Sequence, residues 1–325
     1  MTLIASRLRL AGALKLLVGL TLFVAVLLWQ DNARQLRIVF GNIDVFYIGL
    51  LFAIGILGRM ARVVRWQTIL RDQGIEVGFL RLFNLNLIGN FIGNFVPSML
   101  GGDIAKSYFL GRQIDSQARS AASVIIDRVA GVAAMIVLAL VFTAVNRDLA
   151  ADPLIGTMIA LMAAGGVTGV ILLVYAHSLR LHALLAWLPG GRKIIGPLGR
   201  VYDELLSYRG RYRLFGRVLF HSILFYAFAA YGLYYACLAI SLPVAFLDVA
   251  LITPIAFLLM SIPVSPNNVG WWEWTLTLLL QGTGVEAGNG LMVALILRAV
   301  SVAISLLGGL LLMMEGLERK SRRRR

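Results

Sequence analysis

Six apolar runs of bilayer length constrain this chain before anything else does. A helix rises about 1.5 Å per residue, so about 20 apolar residues cross the hydrocarbon layer. Runs of that kind fall at about 9–30, 43–61, 124–145, 153–176, 217–240 and 289–314. In hydrocarbon every backbone N–H and C=O needs a partner inside the protein, and continuous runs this long satisfy that as helices. Of the 325 residues, 59% are hydrophobic, above the roughly 45–50% of soluble domains. The chain is therefore predicted to be an all-α polytopic membrane protein. It forms one integral domain over 1–325 with a basic tail at 319–325. The longest polar stretch, 177–217, is too short and too basic for a separate catalytic domain. It suits either an interfacial helix on an anionic leaflet or a plain basic loop. The first apolar run follows a basic start and precedes no small-residue cleavage site, so it is read as an uncleaved span.

Two further apolar regions, 83–110 and 248–281, are interrupted by Pro, Gly and Asn. The basic residues say how they cross. Arg34, Arg37 and Arg147 fall on one side. Arg7, Arg9, the run Arg59 to Arg81, Lys106 to Arg119, Arg180 to Arg217 and the tail Arg319–Arg325 fall on the other. Such a bias marks the cytoplasmic side and puts both termini there. It also explains the net charge of +14 without nucleic acid. Region 83–110 has basic residues at both flanks; region 248–281 has Asp248 before it and Glu286 after it. Each must then enter and leave on one side, as a re-entrant broken-helix hairpin, from opposite faces. The expected plan is six full transmembrane helices plus two such hairpins. The halves 1–150 and 151–318 have the layout of an inverted repeat, in which broken helices meet at mid-membrane and build a transport site.

The first break reads Asn94-Phe95-Val96-Pro97-Ser98-Met99-Leu100-Gly101-Gly102-Asp103-Ile104-Ala105-Lys106. Pro97 cannot continue the hydrogen-bond ladder, and Gly101 and Gly102 allow turn conformations closed to other residues. Asp103 is then a natural N-cap for a half-helix starting near Ile104. That helix end suits an anion, with Lys106 on a similar face. The bland alternative is that Asp103 only caps and Lys106 snorkels to the interface. Gly89 and Gly93 have the spacing of close helix packing. Downstream, Asp127 and Arg128 enter a span together. Neighbours in sequence do not face one another on a helix, so they seek different partners, with Lys106 or Arg119 open to Asp127.

The second break reads Ser261-Ile262-Pro263-Val264-Ser265-Pro266-Asn267-Asn268-Val269-Gly270 and runs into Trp271, Trp272, Glu273 and Trp274. Pro263 and Pro266 stop one helix, Asn267 or Asn268 can cap the next, and Gly270 allows close backbone approach. The tryptophans suit an interface belt or the wall of a headgroup cavity. Arg298 lies roughly nine residues into a span and needs a buried partner: Glu273, Asp103 or an anionic ligand. Arg62 and Arg65 either feed an anionic headgroup inward or simply mark the cytoplasmic side. Replacing Arg298 by Leu is expected to abolish transport with expression intact.

Together these motifs resemble the transmembrane, flippase-like region of bacterial lysyl-phosphatidylglycerol synthases and related stand-alone membrane proteins. The carriers are Asn94 to Pro97, Gly101-Gly102-Asp103, Asp127-Arg128-Val129-Ala130-Gly131, and Ile262-Pro263-Val264-Ser265 leading to Gly270 and Glu273. The resemblance covers nearly the whole chain. It implies a domain of the bacterial inner membrane that moves lipids, such as aminoacylated phosphatidylglycerol, between leaflets. The soluble transferase domain of the full-length synthases is absent, so the chain is not expected to aminoacylate lipid. Asn267 and Asn268 stand where the family often has glycine.

The resulting expectation is a lipid translocator for an anionic, aminoacylated or polyprenyl-linked lipid, not an enzyme. The candidate substrate-binding residues are Arg62, Arg65, Asp103, Lys106, Asp127, Arg128, Asn267, Asn268, Glu273 and Arg298. Its partners would be membrane lipids and, beyond them, lipid-biosynthetic enzymes. Two alternatives stay open: a non-transporting scaffold subunit and an ion-coupled small-solute carrier. No Walker A motif or Gly-x-Ser-x-Gly elbow is present. Cys237 is a lone cysteine, and His177, His182 and His221 are scattered, so neither metal nor cofactor is expected.

Overall fold

The computed structural model describes residues 43–95, 101–153, 155–161, 164, 165, 168, 200, 201, 204–208, 210–262 and 264–323. Those residues hold helices and no strand. The main elements are α1 (Val45–Asp72), α2 (Phe79–Phe95), α3 (Gly101–Gln113), α4 (Gln117–Val145), α5 (Tyr212–Leu238), α6 (Phe246–Met260), α7 (Trp271–Gln281) and α8 (Ala287–Arg323). Four of them, α1, α4, α5 and α8 up to Met314, are long and apolar enough to cross a membrane. They match the runs read at 43–61, 124–145, 217–240 and 289–314. The run at 9–30 and most of 153–176 lie outside the described residues, as do most of 177–217, Pro97 and Pro263.

Large apolar side chains face outward along these helices, among them Phe52, Leu140, Val141, Leu306 and Leu310. In water such a surface would be costly; against lipid it is the favourable one. Local chemistry sets the helix ends. Asp44 caps α1 by accepting from the Phe46 N–H, 2.9 Å away. Ser116 does the same for α4 through the Arg119 N–H. One boundary differs from the sequence reading. The second apolar run ends near residue 61, but α1 continues through Asp72, because Val63, Trp66, Ile69 and Leu70 pack inward beyond it.

The helix ends sort into two groups. At one end Arg211 bonds Asp72, Arg119 donates to the Gln73 carbonyl, and Arg81 donates to Gln113 at 3.1 Å. At the other, the Asp44 N–H donates to the Ala239 carbonyl at 2.9 Å, and Asn146 donates to Asp248 at 2.5 Å. The open ends of the α2–α3 hairpin therefore lie at the basic end. The α6–α7 hairpin starts from the opposite end, beside Asn146. Its α7 runs antiparallel to α8, with Trp272 reaching the Ala294 carbonyl at 3.3 Å.

The α2–α3 hairpin closes because its helices touch backbone to backbone. A Cβ on Gly89 would lie 2.8 Å from the Gly102 carbonyl oxygen, and Gly93 also faces Gly102. No larger residue fits that crossing. The two hairpin tips meet inside the bundle. Asn94 accepts from Asn267 Nδ2 at 3.2 Å and donates to Ser305 on α8 at 2.7 Å.

Candidate functional site

Where the tips meet, the bundle holds a partly open cavity of about 520 Å³. Both hairpins line it through Asn94, Gly102, Asn267 and Asn268, and α1, α4 and α5 complete the wall. Six basic side chains face it, Arg59, Arg62, Arg65, Lys106, Arg128 and Arg298, with two acidic ones, Asp103 and Asp127. Lys and Arg within a bilayer either pair or line a polar pathway. Here most of them pair.

The first charged centre joins α1, α3 and α4. Arg65 donates from Nε to Asp127 Oδ1 at 2.6 Å and from Nη1 to the Ser222 hydroxyl at 3.0 Å. Lys106 Nζ lies 2.9 Å from Asp103 and 3.7 Å from the second Asp127 oxygen, with its ammonium over the Trp66 ring. Arg128 reaches Asp103 at 2.5 Å. Asp127 and Arg128 do have different partners, and Lys106 is one of those foreseen for Asp127. Arg119 is not; it turns to the Gln73 carbonyl, and the main partner of Asp127 is Arg65.

Two readings of the first break are corrected. Asp103 is not an N-cap: α3 already runs from Gly101, so Asp103 sits in its first turn and spends its carboxylate on Lys106 and Arg128. Lys106 does not snorkel; it is buried at 3% exposure, because two carboxylates and an indole face draw it inward.

The second centre belongs to the α6–α7 hairpin. Glu273, wholly buried, takes a bond from Arg298 Nε and a second from Nη2 at 3.1 Å. Its Oε2 also accepts from the Gly270 N–H at 2.8 Å. Gly270, at φ 78, is the N-cap of α7, so the expected Asn cap is overturned. Asn267 and Asn268 instead hold left-handed turn positions, at φ 48 and 53. Asn is among the few residues that tolerate that conformation. Asn268 Nδ2 closes the end of α6 by donating to the Met260 carbonyl, while the Asn267 and Asn268 carbonyls accept from Arg298. Pro266 opens the short 3₁₀ turn between the two helices.

Of the tryptophans, one faces the cavity. Trp272 is buried and lines the cavity, whereas Trp271 and Trp274 stack on one another with centroids 5.3 Å apart.

Arg59 is a cavity residue that the sequence reading missed. It donates to the Gly55 carbonyl at 2.9 Å and to the Ser301 hydroxyl at 3.1 Å. Arg62, one turn on, has its guanidinium over the Phe225 ring and a buried Nε without a hydrogen-bond partner. Among the described residues no group of His, Cys, Asp and Glu could hold a metal ion.

The lysylphosphatidylglycerol synthase TM region matches residues 12–309. The chain belongs to this family. Among its relatives is UPF0104 membrane protein PH1989 of Pyrococcus horikoshii, 24% identical over 92% of this chain and 96% of that protein. Another is UPF0104 membrane protein MJ1595 of Methanocaldococcus jannaschii, 32% identical over 30% of this chain and 29% of that protein. Membership ties the fold to a lipid-related membrane function.

Proposed function

We propose that this chain translocates a lipid between leaflets: the headgroup passes through the central cavity while the acyl chains stay in the bilayer. One observation supports this above the others. The space where two oppositely directed hairpins meet is lined by charge, in a bundle whose outer surface is apolar. A charged headgroup would otherwise have to cross hydrocarbon unaccompanied. The hairpin tips, joined by Asn94 and Asn267, are the elements that would part and rejoin as it passes. Membership of a family named for a lipid synthase agrees with a lipid as the cargo. The bias of basic residues further supports both termini in the cytoplasm and residence in the cell's inner membrane. On this reading the chain is a transporter and not an enzyme.

The test is reconstitution into vesicles carrying a fluorescent phospholipid, with a membrane-impermeant quencher outside. Active protein exposes inner-leaflet label to the quencher. Ala229 lines the cavity on α5, and Ala229→Trp puts an indole there without touching an ion pair. That variant is expected to elute as the parent does and to expose no inner label. Parent protein that exposes none would leave the scaffold reading instead.

A further inference from the structure

The charge of the cavity wall bears on which headgroup enters it. Three carboxylates face or back the cavity, and each is already held by the protein. Glu273 binds Arg298, Asp127 binds Arg65 with Lys106 nearby, and Asp103 binds Lys106 and Arg128. Six basic groups against these three acids leave an excess of three positive charges. Two of the six, Arg59 and Arg62, have no carboxylate at ion-pair distance among the described residues. They lie three apart on one face of α1, where like charges repel. Arg62 is the less satisfied: its guanidinium lies over the Phe225 ring and within electrostatic reach of Asp103 and Asp127 without bonding either, and the Nε of both arginines is buried without a partner. Such a pair, inside an apolar bundle where water screens little, is completed by an anion.

We infer that Arg59 and Arg62 form an anion centre, and that the headgroup taken is a phosphate bearing at least two negative charges, a phosphomonoester or diphosphate. This rests on the translocation reading and narrows it. Guanidinium presents a planar fork of donors that matches two phosphate oxygens. A cationic headgroup would find no acceptor of equal quality. Asp127 and Glu273 are wholly buried, and both Asp103 oxygens are taken. The lysine-bearing headgroup that the family name brings to mind would meet one carboxylate oxygen without a hydrogen bond, Asp127 Oδ2, and the Lys106 ammonium already stands 3.7 Å from it.

The experiment uses the purified full chain in mild detergent and native mass spectrometry. The probes are phosphatidic acid, phosphatidylglycerol and lysyl-phosphatidylglycerol with matched acyl chains, and inorganic pyrophosphate as a soluble anion. Phosphatidic acid is expected to be retained about tenfold better than phosphatidylglycerol, with the cationic lipid weakest. Replacing both arginines, Arg59→Gln with Arg62→Gln, is expected to abolish that preference; Arg59→Lys with Arg62→Lys keeps part of it. The Gln pair strands no carboxylate, so its melting temperature without added lipid should equal or exceed the parent's. Basic surface patches are the same in all these proteins, so nonspecific lipid binding cancels in the comparison.

Lysyl-phosphatidylglycerol retained as well as phosphatidic acid, or a Gln pair that keeps the preference, overturns the inference. Displacement of phosphatidic acid by equimolar pyrophosphate keeps the anion centre but overturns the lipid as its source. The vesicle assay separates this from the broader reading. Retention of phosphatidic acid without lipid movement defeats translocation alone; movement that ignores both arginines defeats the anion centre alone.

Discussion

Glu273 and Arg298 meet as one acid and one base, while Asp103 and Asp127 meet three bases, Arg65, Lys106 and Arg128. The first arrangement is closed. Glu273 has both oxygens filled, by Arg298 and the Gly270 N–H, and Arg298 uses its remaining donors on the Asn267 and Asn268 carbonyls. It ties α7, the turn before it and α8 into one unit. The second arrangement is open. Its charge does not balance, Lys106 sits between two carboxylates, and one Asp127 oxygen has no hydrogen bond. A closed pair fixes a shape; an unbalanced cluster can rearrange when another charge arrives. The comparison therefore assigns the α6–α7 hairpin the role of frame. It places the responsive part at α1, α3 and α4.

The strongest way to break this contrast is to remove one member of the closed pair. Arg298→Leu strands a fully buried carboxylate and frees two turn carbonyls. The expected cost is about 3–5 kcal/mol, much of what holds a domain of ordinary stability. Little folded protein should survive purification, as judged by gel filtration and thermal unfolding. The sequence-based expectation that this variant would express normally is thereby revised. Combining Arg298→Met with Glu273→Gln removes both charges and should restore most of the melting temperature. A single variant that melts like the parent would show that the pair is no frame.

The open cluster should tolerate its corresponding loss better. In Asp127→Asn, Arg65 keeps the Ser222 hydroxyl and Lys106 keeps Asp103. The expected loss is about 2–3 kcal/mol, that of a charged hydrogen bond. The positive excess of the cavity meanwhile rises by one. Stability should fall while retention of phosphatidic acid rises, two readouts moving in opposite directions. If both fall together, Asp127 belongs with the frame and the contrast between the centres fails.

What could be read in advance follows the same division. The hairpins were legible because Pro, Gly and Asn interrupt apolar runs whose flanks carry opposite charge bias. Arg298 was legible because an arginine nine residues into a span must find a partner, and Glu273 was one of the candidates. Arg59 and the true role of Arg65 were not, because both sit in a basic run that the positive-inside rule explains without remainder. A signal was present: Arg59, Arg62 and Arg65 recur every three residues, the spacing of one helix face. It carries meaning only once α1 is known to continue to Asp72, and that continuation rests on tertiary packing of Trp66, Ile69 and Leu70. Asn267 and Asn268 were read as caps for the following helix, and the structure gives them turn positions instead. Their side chains and carbonyls could serve either helix, and only the fold decides which.

The smallest expected effect sharpens the contrast most. Arg128 and Asp103 make a short ion pair, but the Arg128 side chain is 37% exposed and Asp103 is 16% exposed. Partly exposed pairs contribute little, because solvent already screens them and the long side chain loses freedom in forming them. Lys106 stays on Asp103 when the arginine is gone. Arg128→Gln should therefore cost at most about 1 kcal/mol and leave the melting temperature nearly unchanged. Asp103 and Arg128 also line a second pocket with Tyr108 and Glu204, so this pair stands between that pocket and the central cavity. On the translocation reading it is an entrance contact, and its loss should alter the rate of lipid movement far more than stability. A variant that melts several degrees lower yet moves lipid at the parental rate would place Arg128 with the frame and leave the entrance elsewhere.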